Sequence, residues 1–129
     1  MQELAGVSVL FVDDNDDSRY AYERLLTRVG MLVQTAASGE DALARVALRR
    51  PDVIVMDVAM PLMSGIEAAA QLRSAADTRD IPIVGFSAYP ESTLTAADRA
   101  HFDAYCGKPC HIEALVEAIR HVLSEKSGD

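Results

Sequence analysis

Short apolar segments alternate with longer amphipathic ones along the whole chain. The first apolar segment, residues 7–12, is rich in β-branched residues and stops abruptly at a pair of aspartates, as a strand buried on both faces does. Alternation of this kind predicts parallel strands joined by helices. Four further strands are predicted by the same criteria, at residues 31–36, 53–56, 81–87 and 104–106.

The segments between these strands have the spacing and end signals of helices. Residues 16–29 are expected to form the first helix, with Asn15 or Asp14 as its N-cap and Gly30 to end it. The other predicted helices cover residues 40–49, a segment opening on a capping-box pattern at 64–67, residues 90–100 with Pro90 in the first turn, and a last segment with apolar residues at Ile112, Leu115, Val116, Ile119 and Leu123.

Five strands alternating with five helices define the fold class. Parallel neighbours need right-handed crossover connections, which place helices on both faces of one sheet. A chain of 129 residues is too short for two such units. We therefore expect a single doubly wound α/β domain over residues 1–129, with its core over about 5–125 and no output domain.

The charge is acidic and unevenly distributed. The formal net charge is −8, and the first 17 residues carry five acids and no base. Such a charge repels phosphate backbones and anionic lipid, so direct binding to nucleic acid or to a membrane is not expected. No signal peptide or run of about 20 apolar residues is visible. The two cysteines, Cys106 and Cys110, are too few for a disulfide framework and favour a reducing, cytoplasmic location.

Chemically active side chains follow the predicted strands. Asp13 and Asp14 come after the first strand, Asp57 after the third, Ser87 ends the fourth and Lys108 follows the fifth. Ligands of open α/β sheets bind beyond the carboxyl ends of the strands, so these groups are expected to converge. Clustered carboxylates without His or Cys favour Mg²⁺ or Mn²⁺. An aspartate beside such a cation and an ammonium is a plausible nucleophile towards phosphorus.

The ordered set of these motifs resembles the receiver domain of two-component response regulators. The motifs are Asp13-Asp14, Asp57 with Met60-Pro61 and Gly65 after it, Ser87-Ala88, and Lys108-Pro109. The resemblance covers about residues 5–125. It implies a flavodoxin-like sheet with strand order 2-1-3-4-5.

The resemblance also implies a metal-dependent phosphoacceptor. Asp57 matches the residue that takes the phosphoryl group, and Asp14 and Asp57 match the direct Mg²⁺ ligands. Asp13 matches the ligand that acts through water, and the backbone carbonyl of Ala59 completes the protein's share of the coordination. The only catalysis implied is self-catalysed phosphoryl transfer and autodephosphorylation at Asp57, so the protein is not otherwise expected to be an enzyme.

Three further positions match the family's switch. Ser87 matches the hydroxyl that hydrogen-bonds the new phosphoryl oxygen, Lys108 the ammonium that pairs with it, and Tyr105 the aromatic residue that turns inward afterwards. The Lys108-Pro109 bond is expected to be cis. The implied donor is a sensor histidine kinase or a histidine phosphotransfer protein, and the implied output is a protein target bound through helix 4, strand 5 and helix 5.

The positions that tune the reset of this family are Ala59 and Tyr89 in this chain. Ala59 cannot orient a water molecule, and Tyr89 could partly cover the phosphoryl group. We therefore expect slow to moderate loss of the phosphoryl group.

Four alternatives are weighed against the residues, and the residues speak against each of them. A pseudo-receiver would bind partners without phosphorylation. A haloacid-dehalogenase phosphatase would need an acid where Ala59 stands, and a dinucleotide site would need a glycine-rich turn after the first strand. The set His101, Cys106, Cys110 and His111 offers four zinc ligands, but at a spacing unlike a standard finger.

Overall fold

The computed structural model describes residues 4–126, leaving aside the side chain of Lys126, and contains five short strands. Each of the first four is five residues long, and the fifth has four. Their boundaries lie within two residues of those predicted from hydrophobic patterning. The strands are β1 (Ser8–Val12), β2 (Leu32–Ala36), β3 (Val53–Asp57), β4 (Ile83–Ser87) and β5 (Ala104–Gly107).

A helix follows each strand. The first and last are the longest, with 14 and 15 residues. A single turn of 3₁₀-helix at Glu91–Thr93 precedes the fourth. The helices are α1 (Asp16–Val29), α2 (Gly39–Leu48), α3 (Gly65–Ser74), α4 (Ala96–Arg99) and α5 (Ile112–Lys126).

The five strands form one parallel sheet in the order β2-β1-β3-β4-β5. This confirms the predicted doubly wound α/β class and the strand order. At the carboxyl edge, Asp57 lies opposite Phe86 and Ser87 opposite Gly107. The register therefore brings the ends of β1, β3, β4 and β5 together.

Alternate side chains of the strands enter two separate cores. Leu10, Ile54 and Ile83 contribute to the core that holds the buried residues of α2 and α3. Phe11 and Val55 contribute to the opposite core, which holds the buried residues of α1 and α5. Because the central strands are apolar on both faces, polar residues are confined to their ends.

Local end signals of α1 and α3 act as predicted. The Asn15 side chain accepts a hydrogen bond from the Ser18 amide and caps α1, and Gly30, at φ 106°, ends it in the left-handed conformation that favours glycine. Asp16 lies in the first turn. Ser64 and Glu67 form the predicted capping box at α3.

The fourth helix differs from the prediction. Residues 90–100 were expected to be continuous, but Leu94 is extended, at φ −83° and ψ 144°, and Thr95 caps a new, four-residue helix. Leu94 packs against the core beside α3. Burial of this one side chain at the break outweighs the weak helix propensity of the Ser92-Thr93 segment before it.

Arg73, at the end of α3, ties together the amino ends of β4 and β5. Its guanidinium donates to the carbonyl oxygens of His101, Arg79 and Ile81 and to the Asp103 carboxylate, at 2.6–3.0 Å. The same carboxylate accepts a hydrogen bond from the Ile83 amide. This edge of the sheet is therefore fixed by a hydrogen-bonded network, at the end opposite the acidic residues.

Within residues 4–126, no helix is long and apolar enough to span a bilayer.

Candidate functional site

Three carboxylates meet at the carboxyl edge of the sheet. Asp13 and Asp14 follow β1 directly and Asp57 is the last residue of β3, the neighbouring strand. One carboxylate oxygen from each lies within 4.8 Å of those of the other two. Asp13 and Asp57 are buried, whereas Asp14 is exposed. Three oxygens this close can surround a hard divalent cation, with access from solvent on the Asp14 side.

Asp13 is held in its charged form by three protein donors. The Ser18 hydroxyl donates to its carboxylate at 2.6 Å, the Asn15 amide at 3.0 Å and Lys108 Nζ at 3.2 Å. Burial alone would raise the pKa of Asp13. The hydrogen bonds from Ser18 and Asn15 and the charge of Lys108 outweigh burial, so the pKa of Asp13 lies below its ordinary value.

Asp57 is in the opposite electrostatic situation. Lys108 Nζ lies 3.3 Å from its Oδ2 and the Ala59 amide 3.2 Å from its Oδ1. Burial, followed by repulsion from Asp13, raises the pKa of Asp57 to about 6, against the opposing charge of Lys108. A cation that binds beside this carboxylate would stabilise its charged form.

Lys108 lies directly after β5 and bridges the two buried acids. Its backbone amide donates to the Ser87 carbonyl at 2.7 Å, and its Nζ lies 4.7 Å from the centre of the Phe86 ring. Burial opposes the charge of Lys108, but Asp57 and Asp13 raise its pKa above the ordinary value. The Lys108-Pro109 bond is cis, as expected.

Ser87 and Tyr105 are linked through the backbone of Tyr89. The Tyr89 amide donates to the fully buried Ser87 hydroxyl at 3.1 Å, and the Tyr105 hydroxyl donates to the Tyr89 carbonyl at 3.3 Å. Burial raises the pKa of the Tyr105 phenol, while the neighbouring Ser87 hydroxyl opposes that rise. Movement of the Ser87 hydroxyl would thus affect Tyr105 through the backbone of Tyr89.

Residues 9–120 match the family described as the response regulator receiver domain. The chain belongs to this family. Its five-stranded parallel sheet agrees with that assignment, and the chain is therefore a receiver domain of the two-component type.

Individual proteins show the same relationship. The receiver domain is 38% identical over 124 residues to the response regulator MprA of Mycobacterium sp. (strain KMS), covering 95% of this chain and 53% of that protein. It thus spans about half the length of this relative.

Solved structures agree in fold. The structure of a response regulator from Chloroflexus aurantiacus J-10-fl superposes with a TM-score of 0.85 at 29% identity, covering 92% of this chain and 98% of that one. The response regulator TrrA of Thermotoga maritima, solved in complex with Mg²⁺-BeF, gives a TM-score of 0.82 at 27% identity, with 90% and 98% covered.

All strand-end residues predicted from the sequence lie at this edge of the receiver domain, but two contributors were missed. Ser18 is the closest donor to Asp13, and Arg19 donates to the Asp13 carbonyl at 2.9 Å. Both belong to α1, and no motif singles them out. The available signal was their place in the first turn of a helix that begins three residues after Asp13.

The cysteines of the receiver domain form a disulfide, Cys106 to Cys110, although their small number is interpreted above as favouring a reducing location. The sequence argument considered only a framework of several bridges, and a single bond between neighbours in space does not need one. Both sulfurs are thereby removed from the zinc set considered above. Among residues 4–126, the acidic cluster is the group of three or more candidate ligands that meets at metal-binding distance.

Proposed function

We propose that Asp57 of this receiver domain accepts a phosphoryl group from a histidine kinase or a histidine phosphotransfer protein. One observation carries the proposal: the buried Asp57 carboxylate lies 3.3 Å from Lys108 Nζ and within the three-acid cluster. A nucleophilic carboxylate, an ammonium and a cation site are thus assembled around one oxygen. Phosphoryl transfer depends mainly on such positioning and charge neutralisation.

The acidic cluster fits Mg²⁺ because its donors are all carboxylate oxygens. Asp14 and Asp57 would bind the ion directly and Asp13 through water, and the backbone carbonyl of Ala59 would complete the protein's share of the ligands. When bound, Mg²⁺ neutralises phosphoryl oxygens during transfer. TrrA, a structural neighbour, was solved in complex with Mg²⁺-BeF, which supports the same preference here.

The chain's own residues divide the chemistry. An Asp57 oxygen forms the new bond to phosphorus while the bond from phosphorus to the donor imidazole nitrogen breaks. Lys108 pairs with the phosphoryl oxygens, and Asp13 keeps Lys108 in place on its other side. Transfer leaves about −1.5 to −2 charge on the acceptor, so these contacts distinguish the phosphorylated state from the free one.

The same geometry suggests how the signal leaves the site. We infer that the Ser87 hydroxyl turns to the phosphoryl group and releases the Tyr89 amide, which frees the Tyr89 carbonyl to part from Tyr105. The output surface would then be α4, β5 and α5, and its partner a downstream protein. Ala59 and the exposed Tyr89 favour slow to moderate dephosphorylation.

The test is covalent labelling of the purified protein. Incubation with acetyl phosphate and Mg²⁺ should add one phosphoryl group by intact mass. Asp57→Ala and chelation of Mg²⁺ should abolish the adduct, while Asp17→Asn, which removes an exposed acid of α1 outside the cluster, should retain it. Failure of the wild type to label with acetyl phosphate or with a histidine kinase would favour a pseudo-receiver that binds without phosphorylation.

A further inference from the structure

The Cys106–Cys110 disulfide flanks Lys108 in the chain, and its two sulfurs are not among the groups that react in the proposed phosphoryl transfer. We propose that this pair is a thiol–disulfide modification site whose redox state sets how firmly Lys108 is held against Asp57. The effect on Asp57 rests on the function proposed above, whereas the modification of the two sulfurs does not.

The cross-link closes a small ring around Lys108. Cys106 lies in β5 and Cys110 lies two residues before α5, with their Cα atoms 6.0 Å apart. The ring encloses Gly107, Lys108 and Pro109, the whole connection between the strand and the residues that lead into the helix. A closed ring of this size leaves the enclosed backbone few conformations.

Both ends of the ring are anchored in the fold. Cys106 pairs with Phe86 of β4, and the Cys110 carbonyl accepts a hydrogen bond from the Tyr22 hydroxyl of α1 at 2.5 Å. The Lys108 amide donates to the Ser87 carbonyl. With the disulfide closed, the backbone that carries Lys108 is therefore fixed on both sides. Opening the disulfide removes the covalent restraint and leaves these hydrogen bonds and the packing of the two side chains against the core.

The position of the ring bears directly on the reacting group. Lys108 Nζ lies 3.2 Å from Asp13 and 3.3 Å from Asp57, distances at the long end for a charge-assisted hydrogen bond. Small displacements of a charged group beside a reacting atom change rates strongly. A looser Lys108 is thus expected to slow transfer to Asp57.

The disulfide is expected to add little to the stability of the folded protein. The entropic gain from a disulfide grows with the length of the loop that it closes, and this one spans a sequence separation of only four. Cys110 is 4% exposed, but Cys106 is half-buried, and its neighbours Gly107 and Pro109 are exposed. Cys106 is therefore the more accessible of the two, and we expect a small thiol to attack its sulfur with Cys110 as the leaving group.

A small disulfide can oxidise the Cys106 and Cys110 thiols by thiol–disulfide exchange. The thiolate of one cysteine attacks the oxidant, which forms a mixed disulfide and releases one thiol. The second thiolate attacks the mixed disulfide at the protein sulfur, closes the Cys106–Cys110 bond and releases the second thiol. Two electrons and two protons pass from the protein dithiol to the oxidant. Reduction reverses these steps and begins at Cys106.

The experiment compares the two redox forms of the wild-type chain. One sample is treated with oxidised glutathione and the other with a phosphine reductant, and each is alkylated in denaturant, so that the reduced form gains two alkyl groups by mass. The initial rate of Asp57 phosphorylation by acetyl phosphate with Mg²⁺ should be about threefold to tenfold lower in the reduced form. Reoxidation should restore it.

The variant Cys106→Ser with Cys110→Ser supplies the matched control. Its rate should equal that of the reduced wild type and should not respond to either reagent. Equal phosphorylation rates for fully oxidised and fully reduced wild type would overturn the inference and leave the proposed function standing. A pair that stays unalkylated under the reductant in native buffer would also overturn it.

A second measurement does not depend on phosphorylation. The sequence has two lysines, Lys108 and Lys126, so acylation by an amine-reactive ester can be read as the ratio between their peptides. Lys108 should label faster, relative to Lys126, in the reduced form. If Asp57 takes no phosphoryl group in either form, the proposed function fails, and the labelling ratio alone decides the inference: a rise supports it and an unchanged ratio overturns it.

Discussion

The fold places the Asp57 carboxylate in surroundings that disfavour its charged form. Its pKa is about 6 in the folded protein against 3.8 for an ordinary aspartate, because of burial and then repulsion from Asp13. A raised pKa means that this carboxyl contributes full stability below pH 3.8 and loses it as the pH rises through 6. At neutral pH, the charged Asp57 side chain therefore lowers the stability of the metal-free folded protein, although the proposed function requires this residue.

Replacing that charge should stabilise the metal-free protein. In EDTA at pH 7.5, Asp57→Asn is expected to raise the free energy of unfolding by about 1–3 kcal/mol, since each unit of pKa shift corresponds to about 1.4 kcal/mol. The gain should shrink steadily as the pH is lowered to 4, which urea unfolding at several pH values would measure. Asp17→Asn is the control for loss of one acidic charge, and a gain for Asp57→Asn that does not vary with pH would contradict the explanation.

Ser18 is predicted to stabilise the fold through its hydrogen bond to Asp13. Ser18→Ala removes the 2.6 Å hydrogen bond to the buried Asp13 carboxylate and is expected to cost about 1.5–3 kcal/mol, the range for hydrogen bonds to charged groups. Thermal or urea unfolding checks this. Thr27→Ala removes an exposed hydroxyl of the same helix that donates to the Glu23 carbonyl and should cost less. Equal losses for the two variants would count against a special role for Ser18.

Among the elements, the start of α3 sets the position of the nucleophile. A Cβ on Gly65 would lie 2.1 Å from the Asp57 carbonyl oxygen, closer than atoms can approach, and the Gly65 amide donates to the Val58 carbonyl at 2.9 Å. The helix therefore packs directly on the backbone at the end of β3. Only a residue without a side chain permits this approach.

Gly65→Ala should consequently destabilise the protein and disturb Asp57 together. A loss of about 1–3 kcal/mol is expected from the forced backbone shift, with slower labelling of Asp57 by acetyl phosphate. Gly107→Ala is the matched control, because a Cβ there meets nothing within 4 Å. Unfolding curves for both variants test the point, and a Gly65→Ala protein as stable as the wild type would refute it.

The elements also show where sequence patterning suffices. β1, β3 and β4 are apolar on both faces, so their existence and their polar ends follow from the run of residues alone. The region before α4 does not follow, because the conformation of Leu94 depends on a core formed by residues distant in the sequence. Local helix signals at Pro90 and Thr95 are compatible with one helix or two, and tertiary burial decides between them.

At the scale of the whole molecule, the acidic cluster should couple metal binding to folding. A cation that binds only the folded state stabilises it by about 2.7 kcal/mol at a free concentration one hundred times its dissociation constant. Mg²⁺ is therefore expected to raise the melting temperature of the wild type. Asp14→Asn should remove most of this gain, because Asp14 is one of the three acids that would hold the ion. Asp14 is exposed, so its replacement should leave the core unchanged.

Differential scanning calorimetry with and without Mg²⁺ would measure this coupling. Asp17→Asn, which changes a nearby acid outside the cluster, should respond as the wild type does. A Mg²⁺ effect that survives in Asp14→Asn at full size would show that the ion binds elsewhere.

The convergence of the site is the part of the molecule that the sequence predicted best. Strand ends in a parallel sheet must meet, so Asp13, Asp57, Ser87 and Lys108 could be brought together before any coordinates were known. The bond between Cys106 and Cys110 could not, because it depends on how the residues after β5 turn towards α5. The donors from α1 to Asp13 depend in the same way on helix orientation.

The order of the strands along the chain is also the order in which they are synthesised. A ribosome delivers the N-terminal segments first, so Asp13, Asp14 and Asp57 emerge before Lys108, which follows Asp57 by 51 residues. In the finished sheet, β4 and then β5 lie beyond β3 on the same side. We expect that any assembly of these acids before Lys108 emerges lacks its ammonium partner, and that a divalent cation from solution can take the place of that ammonium.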